Sequence, residues 1–329
     1  MIKVFFVDFW PVFDIKNNYF CDLLKQKYEI ELDENEPDFL FYSIFGTKHK
    51  YYSCKKIFFT GENVRPDFSE CDYAFTFDFI ENNPRHYRLP LYPLFGDCNQ
   101  LLKEKNPEEI IKQKNDFCCF VNSNPTPKQR IKFFKKLSEY KKVNSGGRVL
   151  NNLGYRVADK MSFMRKHKFT IAYENNSFPG YTTEKIFEPM LVNSVPIYWG
   201  NPLVHLDFNP KSFINAHDYS TEEELIERII EIDNNDKLYL EMLAEPYFTD
   251  NKVNRFIDNE NILKQFDYIF KDKTPPITGK DLIHSQNPFL RISSKAIIEA
   301  EFLAERLMLK INNFDLSKIK NKFQNLPLE

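Results

Sequence analysis

The sequence lacks any uninterrupted apolar run long enough to cross a membrane. Across its 329 residues, no stretch approaches the roughly 18 consecutive apolar residues that a spanning helix needs. The apolar opening MIKVFFVDFWPVF is interrupted by Asp8 and Pro11, and no basic run precedes it. We therefore expect neither a transmembrane segment nor a signal peptide, and we interpret this opening as a buried first strand.

An excess of charge of either sign is also missing. The 45 Lys and Arg residues nearly balance the 47 Asp and Glu residues, so the formal net charge is −2. This balance gives no global reason to expect nucleic acid or an anionic membrane as a partner. The six cysteines include no Cys-x-x-Cys pair, and no His lies near them at metal-ligand spacing. Reduced thiols in a cytoplasmic protein are therefore favoured over disulfides or a metal site.

Three common phosphate- and metal-binding patterns are absent as well. The sequence has no Gly-x-x-x-x-Gly-Lys-Ser/Thr loop and no Gly-x-Gly-x-x-Gly, so ATPase and dinucleotide-binding functions lose their usual support. It also has no Asp-x-Asp triplet, the carboxylate pair through which many enzymes hold a nucleotide sugar by way of Mg²⁺ or Mn²⁺. We therefore expect Arg and Lys to neutralise any bound phosphate, without an obligatory metal.

What the sequence does contain is an alternation of short apolar runs with polar or helical stretches. Continuous apolar runs of this kind are typical of parallel strands that helices cover on both faces. In the first part of the chain, strands are predicted at residues 2–7, 39–45, 56–60 and 73–77. Further on, FCCFVNS, KFTIAYEN, VPIYWG and SFINA predict strands, and TPKQRIKFFKKLSEYKK and TTEKIFEPMLVNS predict helices. We therefore expect an α/β protein with two consecutive parallel-sheet domains and a site in the cleft between them.

Two segments mark the limits of these domains. The charged segment 101–116 is interpreted as a linker, or a short helix within one. After Pro275 and Pro276 the character changes, and residues 293–314 predict a long amphipathic helix. This helix would close back over the first domain, join two chains in a homodimer, or lie on a membrane surface, although its acidic residues weaken the last alternative. The expected domains are residues 1–110 and 111–275, followed by a helical extension at 276–329.

A carboxylate follows one of the predicted strands of the first domain. In FFTGENVRPDF the strand ends near Thr60 and Glu62 lies in the loop beyond it. Such a loop faces the ligand crevice in an open α/β domain, and a Glu there can act as a general base if it reaches the proton that it removes. The alternative is a solvated loop residue, which is the more common fate of a lone Glu after a strand.

A possible anion site begins the first helix of the second domain. The stretch VNSNPTPKQR predicts a strand, a turn and a helix that starts near Thr126 and Pro127, with Arg130 in its first turn. The free amides and the dipole of a helix start favour an anion. The lysines further along this helix form a basic face, for which a solvated surface is favoured over nucleic-acid binding.

A second helix start contains a residue that conflicts with the helix dipole. In SFPGYTTEKIF, Thr182 or Thr183 can cap the helix, but Lys185 places a cation in the first turn, where an acidic residue would be stabilising. Such a local conflict suggests a functional site. Arg130 and Lys185 at two helix starts would together suit a diphosphate. Glu184 can accept hydrogen bonds from ribose hydroxyls or can simply be a favourable first-turn charge.

These motifs resemble the α1,3/α1,4-fucosyltransferases of glycosyltransferase family 10, specifically the bacterial type. The stretch YENNSFPGYTTEKIFEPMLVNSVPIYWGNP is similar to the donor-binding motif of that family. FTGENVRPDF, VNSNPTPKQR, NSGGRVLNNLGYRV and DFNPKSFINAHDY extend the resemblance over roughly residues 55–250, in the same order.

The resemblance implies a GT-B fold, in which two Rossmann-like domains face each other across a cleft, with the acceptor bound mainly by the first domain and GDP-fucose by the second. It also implies an inverting, metal-independent transfer of L-fucose from GDP-fucose to the 3-hydroxyl, or the 4-hydroxyl, of GlcNAc in a Gal-GlcNAc acceptor. By position in the motifs, Glu62 matches the catalytic base, and Arg130 and Lys185 match the residues that pair with the diphosphate. The other implied donor contacts are Glu184, Asn175, Tyr181 and Ser123.

The cellular setting is a further expectation. We expect a cytoplasmic protein, with a peripheral position at the inner membrane as an alternative, acting on lipopolysaccharide precursors, Lewis-antigen glycans or glycoproteins. Two other functions remain open. One is a GT-B transferase that uses a different nucleotide sugar, and the other is an inactive relative that binds glycans in the same cleft.

Overall fold

The computed structural model describes residues 1–277 and contains two parallel β-sheets. The amphipathic helix expected at 293–314 lies outside the described residues. Among residues 1–277, no helix is long and apolar enough to cross a membrane.

The first sheet is built from the amino-terminal part of the chain. Its strand order is β2-β1-β3-β4-β5-β6, and every neighbouring pair is parallel. All four strands predicted in this region are present, and β3 and β4 are buried along their whole length. The strands β2 and β6 were missed, because each has only three residues and shows no periodicity. The bounds are β1 Ile2–Val7, β2 Ile30–Leu32, β3 Phe39–Tyr42, β4 Lys55–Phe59, β5 Tyr73–Thr76 and β6 His86–Arg88, with helix α1 at Tyr19–Lys25.

The second sheet is built from the following part of the chain. Its order is β11-β10-β9-β7-β8, again with parallel pairs throughout. The predicted strands and helices are present here too, whereas β8, α4, α6 and α7 were not predicted. The bounds are α2 Pro107–Ile111, β7 Asp116–Phe120, α3 Lys128–Tyr140, β8 Val143–Ser145, α4 Lys160–Arg165, β9 His167–Tyr173, α5 Glu184–Leu191, β10 Val195–Trp199, β11 Ile214–Asn215, α6 Glu222–Asp233 and α7 Asp236–Ala244.

Side-chain caps explain where several helices begin. Asn18 accepts a hydrogen bond from the Cys21 amide at the start of α1. Thr221 does the same for the Glu224 amide at the start of α6, whose first turn is acidic as the helix dipole favours. These caps satisfy amides that have no partner inside the helix.

The last described helix returns to the first sheet. Helix α8 (Asn259–Lys271) buries Ile262, Phe266 and Ile269 in the same core as β3 and β5, and Phe266 stacks on Phe75 with ring centroids 4.8 Å apart. The expected division places residues 259–271 in the second domain, whereas α8 packs on the first sheet. The apolar face of α8 is removed from water because it packs against aromatic side chains of the first sheet.

The two sheets also share an apolar contact through α5. Its residues Ile186, Phe187 and Met190 belong to the core cluster of the first sheet, and Phe187 lies 5.9 Å from Tyr92 between ring centroids. An extensive apolar interface of this kind favours a fixed arrangement of the two units. It therefore determines how the loops at the ends of the sheets face each other.

A buried histidine in β6 makes stability depend on pH. His86 Nε2 lies 2.8 Å from Thr76 Oγ1, and burial lowers the pKa of His86 from 6.5 to about 4. When folding lowers the pKa of a group, the contribution of that group to stability is complete above its unfolded-state pKa. The contribution is lost as the pH falls towards the folded-state pKa. Between pH 7 and pH 5 the loss should be about 2 kcal/mol.

We predict that His86→Gln, which keeps an amide donor for Thr76, removes this part of the pH dependence. Urea unfolding of the two proteins at both pH values measures it. The free energy of unfolding should fall by about 2 kcal/mol more in the wild type than in the variant. Equal losses in both proteins would contradict the assignment.

Candidate active site

The loops that contain the candidate residues lie at the carboxyl ends of the two sheets. Glu62 follows β4, and segment 174–185 joins β9 to the first turn of α5. Open α/β proteins bind ligands at this end of a sheet. Gly180 of this segment contacts the Phe77 carbonyl just beyond β5, the strand that pairs with β4. Lys185 and Glu184 also act electrostatically on the pKa of Glu62.

Glu62 projects from a short turn at the end of β4. Its amide donates to Thr60 Oγ1 over 3.0 Å, and its side chain is exposed. Nearby protein limits the hydration of the carboxylate and raises its pKa, while Lys185 acts in the opposite direction. An accessible carboxylate with a raised pKa is suited to accept a proton near neutral pH.

Glu174 is the buried centre of segment 174–185. Its side chain is 0% exposed and accepts hydrogen bonds from the amide and the hydroxyl of Thr183, at 2.8 Å and 2.7 Å. It also accepts from Lys185 Nζ over 3.1 Å. Burial raises the pKa of Glu174, and Lys185 opposes that shift. A carboxylate so far from water is tolerated only with partners of this kind.

Lys185 lies between two carboxylates. Its Nζ atom is 3.1 Å from Glu174 and 3.5 Å from Glu184, and its side chain remains 16% exposed. Desolvation opposes the charged form, but these two carboxylates raise the pKa of Lys185 above its usual value. The conflict with the helix dipole is therefore resolved locally, because the cation neutralises the buried carboxylate of Glu174, which directly follows β9.

Glu174 is the residue of this site that the sequence interpretation missed. It stands in the quoted Tyr-Glu-Asn motif, where only Asn175 was given a role. The available signal was the Lys185 anomaly itself, since a cation at a helix start implies a nearby anion. The sequence interpretation took this anion to be a bound ligand. In the structure, one anion beside Lys185 is the carboxylate of Glu174, directly after β9.

Arg130 and Asn175 are brought together as expected. Arg130 Nη1 donates to Asn175 Oδ1 over 3.1 Å, and Nη2 donates to the Asn124 carbonyl over 2.6 Å. Burial lowers the pKa of Arg130, which is 1% exposed. Within residues 1–277 its Nε atom has no hydrogen-bond partner and no carboxylate lies at ion-pair distance. Glu174 and Glu184 attract this buried cation electrostatically, but neither forms an ion pair with it among residues 1–277.

The middle of segment 174–185 packs against the first domain. Gly180 has φ of +87°, and a Cβ there would lie 2.3 Å from the Phe77 carbonyl oxygen, so a side chain cannot be accommodated. The buried ring of Tyr181 packs edge-on against Phe77, with 5.1 Å between centroids. Tyr181 is thus placed in the interface as well as next to the cleft.

The two remaining sequence candidates differ in their surroundings. Burial alone would raise the pKa of Glu184, but Lys185 and Lys160 hold it below its usual value, so the carboxylate is charged. Ser123 lies exposed in the loop after β7. The structure therefore gathers around one site the residues Arg130, Asn175, Tyr181, Glu184 and Lys185, whereas Ser123 makes no side-chain contact with them among the hydrogen bonds of the described residues.

The site offers a distinct set of chemical groups. Arg130 and Lys185 lie on the second-sheet side together with the carboxylates of Glu174 and Glu184. Glu62 supplies an accessible carboxylate on the first-sheet side. Within the described chain no group of three or more His, Cys, Asp or Glu side chains is arranged to hold a metal ion. Such a site can hold an anionic leaving group at one wall and remove a proton at the other.

Two parallel-sheet domains that face each other across such a cleft define a glycosyltransferase of the GT-B class. Residues 4–95 match the α-(1,3)-fucosyltransferase FucT N-terminal domain, and residues 111–261 match the glycosyltransferase family 10 (fucosyltransferase) C-terminal domain. The chain belongs to glycosyltransferase family 10, which confirms the resemblance found in the sequence.

Individual relatives agree with this assignment. The chain is 34% identical over 331 residues to the α-(1,3)-fucosyltransferase FucT of Helicobacter pylori, covering 88% of this chain and 68% of that protein. A crystal structure of an α1,3-fucosyltransferase superposes with a TM-score of 0.74 at 32% identity, over 83% of this chain and 91% of the other. The structure of an α1,3-fucosyltransferase with GDP-fucose superposes with a TM-score of 0.70 at 31% identity, with the same coverage.

The pairing of Glu174 with Lys185 leads to a stability prediction. Lys185→Met leaves the buried Glu174 without its counter-ion and should lower the free energy of unfolding by about 3–5 kcal/mol. The double variant Glu174→Gln/Lys185→Met removes both charges and should recover most of that loss. Urea unfolding at pH 8, where Glu174 cannot easily take up a proton, measures both. A double variant no more stable than Lys185→Met would contradict the pairing.

Proposed function

We propose that this protein transfers L-fucose from GDP-β-L-fucose to the 3-hydroxyl of GlcNAc in a lactosamine-type acceptor, with inversion at the anomeric carbon. The observation that carries the proposal is the position of Glu62 across the cleft from Lys185, in a chain of family 10. The 4-hydroxyl of GlcNAc is an alternative point of attack, and glycans of lipopolysaccharide type are one class of acceptor.

In this mechanism Glu62 acts as the general base. Its carboxylate removes the proton of the acceptor hydroxyl while the oxygen forms a bond to C1 of fucose. The bond from C1 to the β-phosphate oxygen breaks on the opposite face, and GDP leaves with the electron pair. A single displacement turns the β-linked donor into an α-linked product. The raised pKa of Glu62 suits it to this step.

The second domain supplies positive charge for the leaving group. Lys185 is fixed by two carboxylates and needs no rearrangement before it meets the diphosphate. Arg130 supports the same role, because it is a cation without an anionic partner among the described residues. Glu184 would accept from the ribose hydroxyls, and Asn175, Tyr181 and Ser123 would complete the donor contacts. With two cations available, we expect no obligatory metal.

We predict that Glu62→Gln lowers the rate of transfer about 10²–10⁴-fold, the usual effect of losing a general base. Binding of GDP, measured by calorimetry, should be unchanged. Glu81→Gln is a matched control, since Glu81 is an exposed carboxylate in another loop of the first domain. Retained turnover in Glu62→Gln would exclude this residue as the base.

The pH dependence of kcat/KM is a second test of Glu62 as the general base. A base works only when deprotonated, so kcat/KM should fall as the pH drops through the pKa of Glu62. Because desolvation raises that pKa above 4.5, the acid limb should lie above pH 4.5. Glu62→Gln should lack the limb. A limb that persists unchanged in the variant would assign it to another group.

We also predict that the protein prefers GDP to other nucleotides and that binding survives EDTA. Each charge-assisted contact contributes about 1.5–3 kcal/mol, so GMP, which lacks the β-phosphate, should bind about 10–150-fold more weakly than GDP. Calorimetry with GDP, GMP, UDP and CMP measures this. Tighter binding of UDP or CMP would favour a transferase that uses another nucleotide sugar. Good GDP binding without transfer would favour an inactive glycan-binding relative.

A further inference from the structure

A buried arginine of the first domain holds the loop that carries Lys185. Arg88 ends β6, and its guanidinium donates to both carboxylate oxygens of Asp207, over 2.8 Å and 2.9 Å. It also donates to the carbonyl of Phe77 over 3.0 Å and to the carbonyl of Gly180 over 3.2 Å. Phe77 belongs to the first domain, whereas Asp207 and Gly180 belong to the second, so the guanidinium joins the two.

This ion pair is shielded from water. The side chains of Arg88 and Asp207 are 3% and 0% exposed. The rings of Phe79 and Phe256 lie 4.3 Å and 4.5 Å from the guanidinium carbon, measured to their centroids. A buried bidentate pair of this kind fixes orientation strongly, and a lysine cannot reproduce its fork geometry.

Asp207 passes the constraint on to segment 174–185. It accepts from Thr182 Oγ1 over 2.7 Å and from Asn201 Nδ2 over 3.3 Å. The Oδ1 atom of Asn201 in turn accepts from the Gly180 amide over 2.6 Å. The peptide groups on both sides of Gly180 are therefore held, one by Asn201 and the other by Arg88.

These contacts stand immediately before the residues that define the anion site. Thr182 is followed by Thr183, which binds Glu174 and caps α5, and then by Lys185. A shift at Gly180 would move these groups together. The Arg88 side chain itself is buried behind the loop and faces carbonyls and Asp207.

We propose that Arg88 is a positioning residue for the donor site of the opposite domain, acting through Asp207 and Gly180. The inference rests on the proposed function, because it takes segment 174–185 as the donor loop. Arg88 lies on a strand of the domain that is proposed to bind the acceptor. Its substitution should nevertheless change GDP affinity and kcat/KM for the donor, and leave the KM for the acceptor unchanged.

The test compares Arg88→Lys, Arg88→Ala and Asp207→Asn with wild type, using calorimetry with GDP and initial rates against each substrate. Arg88→Lys keeps the charge but loses the fork, and should weaken GDP binding about tenfold. Arg88→Ala should lower kcat/KM for the donor about 10²-fold, as expected when a loop is misplaced by an ångström. The KM for the acceptor should stay at the wild-type value. The double variant Arg88→Ala/Asp207→Asn should be no worse than Arg88→Ala, because the two residues act as one unit.

One control variant and one further test variant separate a positioning role from an effect on folding. Tyr87→Phe removes the neighbouring hydrogen bond from Tyr87 to the Arg255 carbonyl, which does not involve segment 174–185, and should leave GDP binding unchanged. Thr182→Val keeps the shape of a fully buried side chain and removes the hydroxyl that donates to Asp207 and accepts from Asn201. If the Arg88 variants do not fold, Thr182→Val still tests the proposal, since it should weaken GDP binding several-fold.

Wild-type binding distinguishes this inference from the proposed function. If the wild type does not bind GDP, the proposed function fails. If the wild type binds GDP, and folded Arg88→Lys or Thr182→Val binds it equally well, the positioning role is overturned. An equal loss of kcat/KM for the donor and for the acceptor in Arg88→Ala would also overturn it, because that pattern indicates general damage to the protein.

Discussion

The geometry of the site depends on one buried carboxylate, Glu174. It directly follows β9, has no access to water and must find its partners within the protein. It finds them in Thr183 and Lys185, so the first turn of α5 is tied to the end of the strand before it. This arrangement places a cation at a helix start, where the dipole alone would disfavour it. A helix start and a cation each attract an anion, so the two features together suit an anionic ligand.

The second requirement is that the two domains hold their loops at a fixed separation. The apolar face of α5 packs into the core of the first sheet, and Arg88 binds Asp207 and Gly180 across the interface. Because these contacts are buried, they fix the segment that leads to Lys185 relative to the first sheet. Preorganisation of this kind places charge where a transition state needs it, without reorganisation during the reaction.

Much of this protein could be predicted from its sequence. The long aromatic strands revealed the first sheet, and the breaker residues around Gly180 revealed a helix start with an unusual Lys185. Short strands such as β6 were missed, because three residues show no periodicity. Glu174 and Arg88 were missed for a different reason, since their roles depend on partners that local sequence does not identify. Asp207 lies 119 residues from Arg88, and only the packing of two domains brings them together.

The central claim is that Glu62 and Lys185 act on one reaction, the transfer of fucose from GDP-fucose to a glycan hydroxyl. The most direct measurement incubates the purified protein with GDP-fucose and lactosamine, and quantifies GDP and fucosylated product in the same sample. We expect both to appear in a one-to-one ratio, only when the acceptor is present, and with an α-linkage in the product. Release of GDP at the same rate without acceptor, or no fucosylated product at all, would contradict it.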